Sequence, residues 1–465
     1  MCSRASPTSP TSPIVQTSHT TAADAAVDAM LVVQKYGGTS VGTLERIRRC
    51  AERCLAVREA GHDLVVVVSA MAGETNRLIA LANELVDPNP PQGTHAIGGG
   101  WVAASRRGEA HDREMDQLVS TGETVSAALL AMAINARGGS AVSLTAHQLG
   151  MRTDHAHTRA KIETIDHARV SEALAQGRIV VCTGFQGISV EGDVTTLGRG
   201  GSDTSAVAVA AAMHADVCEI LTDVDGVYTT DPRVVPQARK IDRISHEEML
   251  ELASVGAKIM HIRSVEFAMR YGVPVQVRSS QSDAEGTWIV PEEPSMEAVV
   301  VSAVALDRNE AKITVVGVPD VPGTVASMFA VLADAGIVVD MIIQNASHDG
   351  RTDVTFTVPT ADLVQAQARL ATLSVEGQPP RVETDPDIAK VSIVGLGMRT
   401  HAGVAAKMFQ LLAAEGINIQ MVSTSTIKVS VVVAAEHGEL ATRCLHAGFG
   451  LDEGPARAQS LARGG

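Results

Sequence analysis

The sequence predicts an α/β domain built on a mostly parallel central sheet, followed by two ferredoxin-like βαββαβ units. Short apolar runs alternate with longer helical patterns over residues 31–290, and a linker-like PEEPS segment follows at 291–295. Beyond it, residues 312–343 and 390–423 align with each other, glycine on glycine and helix on helix. Strand–helix alternation is typical of parallel sheets, and a repeat of this size indicates a duplicated unit.

At 465 residues the chain is too long for a single hydrophobic core, so several domains are expected. The second repeat lacks a convincing last strand of its own, and residues 299–305 are predicted to supply it. The predicted divisions are a disordered extension or mis-assigned start at 1–29, the α/β domain at 30–290, a linker at 291–298, the first repeat at 310–385, the second at 299–309 plus 386–450, and a flexible tail at 451–465.

Composition excludes some classes of protein. The net charge of −15 argues against a nucleic-acid-binding surface, and no run of about 18 apolar residues predicts a membrane span. The first 29 residues lack the apolar middle section of a secretion signal, and we favour a true start at Met30. Six cysteines show neither CxxC nor metal-ligand spacing, which favours a reducing cytoplasm.

The α/β domain is predicted element by element from these apolar runs. The strand candidates are Leu31–Val33, Leu64–Ser69, Ser140–Leu144, Ile179–Thr183, Cys218–Thr222 and Val273–Val277. The helical stretches include Arg113–Ala136, Asp203–His214, Ser245–Ala253 and His261–Tyr271. Open parallel sheets bind ligands beyond the carboxyl ends of their strands, so functional residues are expected there.

The first strand leads into KYGGTSVG, in which Lys35 precedes Gly37 and Gly38 and a helix follows. Glycines admit a ligand close to the backbone, and a helix start offers N–H groups and a positive dipole end to a phosphate. The lysine precedes the glycines, so this is not a Walker loop, and no GxGxxG is present. Taken alone, the stretch is equally well read as a structural turn.

A second anion-binding pattern, TTLGRGGSDT, opens a small-residue helix at residues 195–204. Arg199 and Asp203 lie among its glycines, and Arg199 has no capping duty there, so a functional interpretation is favoured. The second strand ends in Ser69, before Thr75 in SAMAGETN, and a helix N-cap accounts for only one of these hydroxyls. Glu123 in STGE lies in the first turn of a predicted helix, where it either stabilises the helix dipole or receives a substrate ammonium. The long Pro- and Gly-rich segment 87–111 is either a lid or, more simply, a tolerated insertion.

The segment LTDVDGVYTTDPR follows the fifth strand. Its Asp-Gly turn alone would be an ordinary hairpin. Aromatic residues are scarce in this chain, however, so Tyr228 suggests a binding slot for a purine base. Arg233, five residues later, suggests a contact with a phosphate. Lys258, in SVGAKIMH, is a further basic group aimed at the same sheet edge.

Together, KYGGTSVG, VVSAMAGETN, STGE, TTLGRGGSDTS, LTDVDGVYTTDPR and SVGAKIMHIRSVEFA resemble the aspartate kinases of the amino acid kinase fold, and the repeated tail is similar to their two regulatory ACT domains. The resemblance covers residues 31–450. It implies transfer of the ATP γ-phosphoryl group to the β-carboxylate of L-aspartate, giving 4-phospho-L-aspartate. That is the entry step to lysine, threonine, methionine and isoleucine biosynthesis.

The resemblance also implies roles for individual residues. Lys35 would stabilise the transferring phosphoryl group, Gly37 and Gly38 would donate backbone N–H groups, and Asp203 would orient the lysine. Aspartate would be held by Ser69, Thr75, Glu123 and Arg199, and the nucleotide by Thr222, Asp223, Tyr228, Arg233 and Lys258. Mg²⁺ would be held chiefly by the ATP phosphates, with no dedicated protein metal cage.

In the regulatory half, the resemblance implies lysine, threonine or both as feedback effectors. The corresponding positions are Asp320, Gly323, Val338, Asp340 and Gln344 in the first repeat, and Ala405, Asn418, Ile419 and Ser425 in the second. Val338 replaces a usual asparagine and Ala405 a usual threonine, which leaves the effector's identity open. Dimerisation or higher assembly through the ACT pair is expected, with a separate regulatory subunit from near Met296 as a further possibility.

Two other functions remain open at this stage. The same fold serves kinases whose acceptor is glutamate, acetylglutamate, carbamate or UMP, although the tandem ACT tail and the STGE and SAMAGETN stretches disfavour them. A non-catalytic amino-acid sensor that kept the ACT pair is the other alternative. It is disfavoured because every charged position of the expected site is present.

Overall fold

The computed structural model describes residues 29–86, 109–257, 259–294, 296, 299–345, 349–374 and 378–453. Most of the predicted loop at 87–111, nearly all of the 1–29 extension and most of the 451–465 tail lie outside these residues.

Twelve strands lie in the described part of the α/β domain. They are β1 (Leu31–Tyr36), β2 (Asp63–Val68), β3 (Ala141–Leu144), β4 (Met151–Thr153), β5 (Ile162–Ile165), β6 (Ile179–Thr183), β7 (Gln186–Ile188), β8 (Val194–Thr196), β9 (Val217–Thr222), β10 (Arg243–Ser245), β11 (Val275–Ser279) and β12 (Thr287–Val290). Eight of them form the central sheet, in the order β10-β12-β11-β9-β1-β2-β6-β3. Only the β11–β12 pairing within that described sheet is antiparallel, so the predicted mostly parallel sheet is confirmed.

Helices cover both faces of this sheet, because alternate residues of a strand point to opposite sides. The helices are α1 (Leu44–Glu59), α2 (Glu74–Val86), α3 (Glu109–Val119), α4 (Thr121–Asn135), α5 (Ala146–Leu149), α6 (Ala168–Ala175), α7 (Gly201–Met213), α8 (His246–Ser254) and α9 (Ile262–Tyr271). Val32, Tyr36 and Val66 pack against α1 and α4, while Val33 and Val65 pack against α6, α7, α8 and α9. The sheet is therefore the middle of three layers. The carboxyl ends of its parallel strands lie along one edge of the sheet.

Three features differ from the sequence expectation. Strands β10 and β12 of the central sheet were not among the predicted strands. Strands β5, β4, β7 and β8 form a second small sheet in that order, which the sequence analysis did not predict. The single helix expected at 113–136 is two helices separated at Ser120. The Ser120 carbonyl accepts a hydrogen bond from Gln186 Nε2 at 2.5 Å, and this outside donor accounts for the interruption.

By length and composition alone, one stretch of the described chain, His111–Asn135, has the character of a membrane span. Half of its most apolar window is nevertheless buried inside the fold. Leu130 and Ile134 are fully buried against α1 and the central sheet. The stretch occupies the position of a core helix.

The regulatory half consists of two four-stranded sheets. Its strands are β13 (Ala303–Asp307), β14 (Glu310–Pro319), β15 (Ile342–Gln344), β16 (Arg351–Pro359), β17 (Arg381–Asp385), β18 (Ile388–Val394), β19 (Met421–Thr424) and β20 (Lys428–Ala434). Its helices are α10 (Thr324–Asp334), α11 (Leu363–Leu370), α12 (Val404–Ala414) and α13 (Gly438–Gly448). The sheet orders are β15-β16-β14-β17 and β13-β18-β20-β19. Strand β13 thus takes the edge position that the sequence analysis assigned to residues 299–305.

Helix α8 joins the α/β domain to the second repeat through two glutamates. Glu248 is buried, and its Oε1 accepts hydrogen bonds from Ser302 Oγ at 2.5 Å and from the Leu396 N–H at 3.1 Å. Glu251 forms an ion pair with Lys428, with 2.7 Å between Oε2 and Nζ. A charged carboxylate that is buried and fully paired holds its neighbours in a defined geometry, so the repeat is docked firmly on this helix.

Candidate active site

An ion pair between Lys35 and Asp203 lies at the carboxyl-terminal edge of the sheet. Lys35 is near the end of β1, Asp203 is in the first turn of α7, and Nζ and Oδ1 are 2.6 Å apart. The two side chains are only 11% and 13% exposed. Screening by water is weak at such a position, so the pair holds the ammonium firmly in one place.

Glycines bring the surrounding backbone close to this pair. A Cβ at Gly38 would lie 2.8 Å from the Ala70 carbonyl oxygen, so the β1–α1 loop reaches the end of β2 only without a side chain there. Gly200 has a φ of 65°, and a Cβ there would lie 2.1 Å from the Cβ of His261. Only glycine satisfies both the left-handed conformation and this contact.

A cleft of about 920 Å³ opens beside the ion pair. Of the residues predicted for the active site, those that line it are Lys35, Gly38, Ser69, Thr75, Glu123, Arg199 and Asp203. They come from the ends of β1, β2 and β8 and from the starts of α2, α4 and α7. The fold therefore gathers both predicted anion-binding stretches and the predicted aspartate-binding residues around one space.

Glu123 is the cleft residue with the most unusual environment. Its Oε1 accepts a hydrogen bond from the Ala70 N–H at 3.0 Å, whereas Oε2 is buried and has no hydrogen-bond partner among the described residues. Burial raises the pKa of this carboxyl group to about 7. A buried acceptor without a partner is costly to a fold, and one that lines a cleft indicates a site for a ligand donor.

The loop that carries Arg199 is held from two sides. The buried carboxylate of Asp116 accepts hydrogen bonds from Thr196 N at 3.1 Å and from Thr196 Oγ1 at 2.5 Å. Arg263 donates to the Leu197 carbonyl at 2.5 Å and to the Ala160 carbonyl at 2.9 Å. These anchors fix the backbone near Arg199, which is exposed and lines the cleft.

The residues predicted to hold the nucleotide lie beside this cleft, and the described ones are outside its lining. Thr222 is the last residue of β9, and Asp223 follows it. The neighbouring Leu221 carbonyl accepts a hydrogen bond from the Gly37 N–H at 3.3 Å. Tyr228 is paired with Lys240 across an antiparallel bridge. Arg233 has a side chain 90% exposed and forms an ion pair with Asp231 at 2.8 Å. Lys258 lies outside the described residues.

Several cleft residues were not identified from the sequence. They are Met71, Asn76, Ile79, Phe185, Ser254, Gly256, Met260 and His261. His261 is the N-cap of α9, and its ring is packed where a side chain at Gly200 would lie. Burial lowers the pKa of His261, so the ring is neutral near pH 7. The sequence carries no signal that singles it out.

The predicted effector positions fall into two groups. In the first repeat, Gln344 Nε2 donates a hydrogen bond to Asp320 Oδ1 at 3.5 Å. Gly323 is the N-cap of α10, and Val338 is 70% exposed. Asp340 forms an ion pair with Lys390 at 2.5 Å, across the contact between the repeats. In the second repeat, Ala405 lies in α12, Asn418 and Ile419 follow that helix, and Ser425 follows β19.

Ser425 connects the second group to the α/β domain. Its Oγ donates to Glu251 Oε1 of α8 at 3.1 Å. Ser254 at the end of this helix and Gly256 just after it line the cleft. One helix therefore touches both a predicted effector position and the candidate active site.

No group of three or more His, Cys, Asp or Glu side chains suited to a metal ion occurs within the described ranges.

Two protein-family profiles match this chain. The profile of the amino acid kinase family matches residues 30–279, and an ACT domain profile matches residues 313–372 and 391–449. The chain is 52% identical to the aspartokinase of Pseudomonas aeruginosa over 92% of its own length and 99% of that protein. It is 48% identical to the aspartokinase of Corynebacterium glutamicum, over 90% of this chain and 96% of the relative.

Solved structures give the same result. The chain is similar to E. coli aspartokinase III in complex with aspartate and ADP, with a TM-score of 0.70, 30% identity and coverage of 90% of this chain and 99% of that one. The complex of the same enzyme with lysine and aspartate gives a TM-score of 0.66 at 29% identity, with the same coverage.

Proposed function

The chain belongs to the aspartate kinases of the amino acid kinase family, and from this membership we propose how its cleft phosphorylates the β-carboxylate of L-aspartate. The products are 4-phospho-L-aspartate and ADP. The observation that carries the proposal is the buried, unpartnered Glu123 Oε2 in the same cleft as the Lys35–Asp203 ion pair. The cleft thus offers an anion to an ammonium group and a fixed cation to a phosphoryl group.

Aspartate fits between these two groups. Glu123 binds the α-ammonium, Arg199 binds a carboxylate, and Ser69 and Thr75 donate hydrogen bonds. The β-carboxylate is the nucleophile, and with an ordinary pKa of about 4 it is already ionised at pH 7. No general base is therefore required for this chemistry.

Lys35 stabilises the negative charge that develops as the phosphoryl group moves, and Asp203 keeps its ammonium in position. The Gly38 N–H and the first turn of α7 add fixed dipoles, whereas the Gly37 N–H is already bonded to the Leu221 carbonyl. Phosphoryl transfer is accelerated mainly by positioning and by charge stabilisation, and both are present here.

ATP supplies the phosphoryl group when bound, and Mg²⁺ carried on its phosphates neutralises part of their charge. Thr222, Asp223, Tyr228, Arg233 and Lys258 are proposed to hold this nucleotide. Support comes from the contact between Gly37 and Leu221, which places the end of β9 directly beside the phosphate-binding glycines.

The decisive experiment measures ADP production with purified protein and a panel of acceptors. Aspartate is expected to support turnover, whereas glutamate, acetylglutamate, carbamate and UMP are not. Turnover with one of those acceptors but without aspartate would replace the proposed acceptor. Tight lysine binding with no kinase activity toward any acceptor would instead indicate an amino-acid sensor.

The KM for aspartate is expected to fall as the pH rises from 6 to 8. Glu123, with a pKa of about 7, is mostly protonated at pH 6, and only its ionised form attracts the substrate ammonium. Binding therefore releases a proton and strengthens with pH, so that KM at pH 6 exceeds the plateau value by about tenfold. Initial rates at saturating ATP measure this profile. A pH-independent KM would contradict the assignment of Glu123.

Feedback inhibition by lysine, threonine or both is proposed to act through the ACT repeats. The contact from Ser425 to Glu251 supports a route from the second repeat to α8 and so to the cleft. Val338 and Ala405 have no side-chain hydrogen-bonding group, so a polar effector bound there lacks a partner at each position. Each missing partner weakens binding of the effector by about 1–3 kcal/mol. Rates with lysine, threonine and the two together identify the effector.

A dimer or larger assembly through the ACT repeats is also proposed. Strands β15 and β19 are at sheet edges. Val338, shortly before β15, is 70% exposed, and Ile342, the first residue of β15, is 51% exposed. Unpaired edges with exposed apolar side chains favour pairing with a second chain. Sedimentation at micromolar concentration, with and without lysine and threonine, is expected to show at least a dimer. A monomer under all these conditions would contradict this prediction.

A cytoplasmic location completes the proposal. The cysteines in the described chain, Cys50, Cys54, Cys182, Cys218 and Cys444, are all free thiols, which suits a reducing compartment.

A further inference from the structure

The segment 222–240, here called the nucleotide loop, has a narrow neck where its two ends run side by side. The Thr229 N–H donates to the Arg239 carbonyl at 2.9 Å, and the Ile241 N–H donates to the Val227 carbonyl at 2.8 Å. On one side the neck is tied to the central sheet, because the Val227 N–H donates to Thr287 Oγ1 of β12 at 2.8 Å.

On its other side the neck is held by the second ACT repeat. The Val304 N–H of β13 donates to the Thr229 carbonyl at 2.8 Å. Thr229 Oγ1 and His446 Nε2 of α13 are 2.9 Å apart, and Arg239 Nε donates to the Leu451 carbonyl at 2.8 Å. The loop thus contacts regulatory residues directly, at both strands of its neck.

Thr229 is the residue on which these contacts converge. Its Oγ1 accepts a hydrogen bond from the Arg239 N–H at 3.0 Å, which leaves the hydroxyl proton available for His446 Nε2. Thr229 is 3% exposed and His446 1% exposed. Water cannot replace either partner at such burial, so losing one side of the bond leaves a buried polar atom unpaired.

We propose that His446 and Thr229 are positioning residues through which the second ACT repeat sets the affinity of the kinase domain for its nucleotide. This rests on the proposed assignment of residues 222–240 to nucleotide binding. Neither residue touches the nucleotide; they hold the neck from which Tyr228, Asp231 and Arg233 project.

The proposal predicts a selective effect. The aspartate-binding residues are held elsewhere, with Glu123 on α4 and the Arg199 loop anchored by Asp116 and Arg263. A change at the neck should therefore alter the KM for ATP and leave the KM for aspartate nearly constant. A movement of α13 or β13 would be transmitted to the nucleotide loop through the same bonds.

The test compares full-length Thr229→Val, His446→Ala, the double variant and His446→Gln. His446→Ala is expected to raise the KM for ATP by about five- to twentyfold, the effect of one lost buried hydrogen bond. Thr229→Val also loses the bond from the Arg239 N–H, so its KM for ATP should rise at least as much. The double variant should be no worse than the more affected single variant, because both remove the same bond. His446→Gln, whose amide can restore a partner for Thr229, should recover much of the affinity. Arg443→Ala, on the exposed side of α13, is the matched control.

Binding of ADP by titration calorimetry measures the same effect without turnover, and circular dichroism verifies folding. Thr229→Val is nearly isosteric, so it provides a result even if His446→Ala does not fold. Unchanged nucleotide affinity in Thr229→Val, or an equal rise in the KM for aspartate, would overturn the inference. Asp223→Ala separates it from the underlying assignment. If Asp223→Ala weakens ADP binding and Thr229→Val does not, only the positioning role fails. If Asp223→Ala also has no effect, the nucleotide assignment fails as well.

Discussion

Replacing Lys35 with alanine is expected to lower kcat at least about a hundredfold, because the developing charge on the phosphoryl group loses its fixed cation. Asp203→Ala should cause a loss of similar size, since the ammonium that Asp203 holds at 2.6 Å is then free to move. Both effects are on the chemical step, so the KM for aspartate should change much less than kcat.

The measurement is steady-state ADP release by the purified variants, together with their thermal denaturation. Removing one member of a nearly buried ion pair leaves the other uncompensated, and some loss of stability is expected. Lys161→Ala, at an exposed lysine of the same domain, is the control and should retain the wild-type rate. Near wild-type turnover in either Lys35→Ala or Asp203→Ala would show that the phosphate site is wrongly placed.

Glu123→Gln is expected to raise the KM for aspartate by about ten- to a hundredfold, because a hydrogen bond to a charged partner contributes about 1.5–3 kcal/mol. Glutamine retains the shape of the side chain and can still accept from the Ala70 N–H. The variant should be at least as stable as the wild type, since burial of a carboxylate is costly and an amide removes that cost.

The same variant tests the pH profile. With no titrating group at this position, the KM for aspartate should lose its dependence on pH between 6 and 8. An unchanged KM, or a pH profile identical to that of the wild type, would assign the substrate ammonium to another group. A lowered melting temperature with unchanged KM would indicate that Glu123 has only a structural role.

Much of the fold was predictable because the strands of the central sheet are buried on both faces and read as continuous apolar runs. The run at Leu64–Ser69 is β2, Asp63–Val68, and the run at Ile179–Thr183 is β6 with the same bounds. The small sheet was missed because β4, β7 and β8 have only three residues each, too few to show a period. The break at Ser120 was also missed, since the donor responsible is the distant Gln186.

The candidate site was predictable where local chemistry had no structural explanation. Arg199 in front of a helix and Lys35 before paired glycines are examples, and both line the cleft. His261 carries no such signal, because histidine is not a favoured N-cap residue, and it reaches the cleft only because α9 packs on the Gly200 turn. A lone histidine at the start of a helix has no local pattern that marks it as part of a site.

By itself the sequence determined six of the eight strands of the central sheet, the duplicated regulatory unit and the residues able to bind phosphate and amino-acid groups, because periodicity and glycine spacing are local properties. Only the tertiary structure decided which of these residues meet. Lys35 and Asp203 lie on different elements and become an ion pair when β1 and α7 pack together. Glu123 acquires its raised pKa from burial, and Thr229 acquires His446 from the docking of α13. Distance and desolvation depend on packing between segments far apart in the chain, and no local pattern contains them.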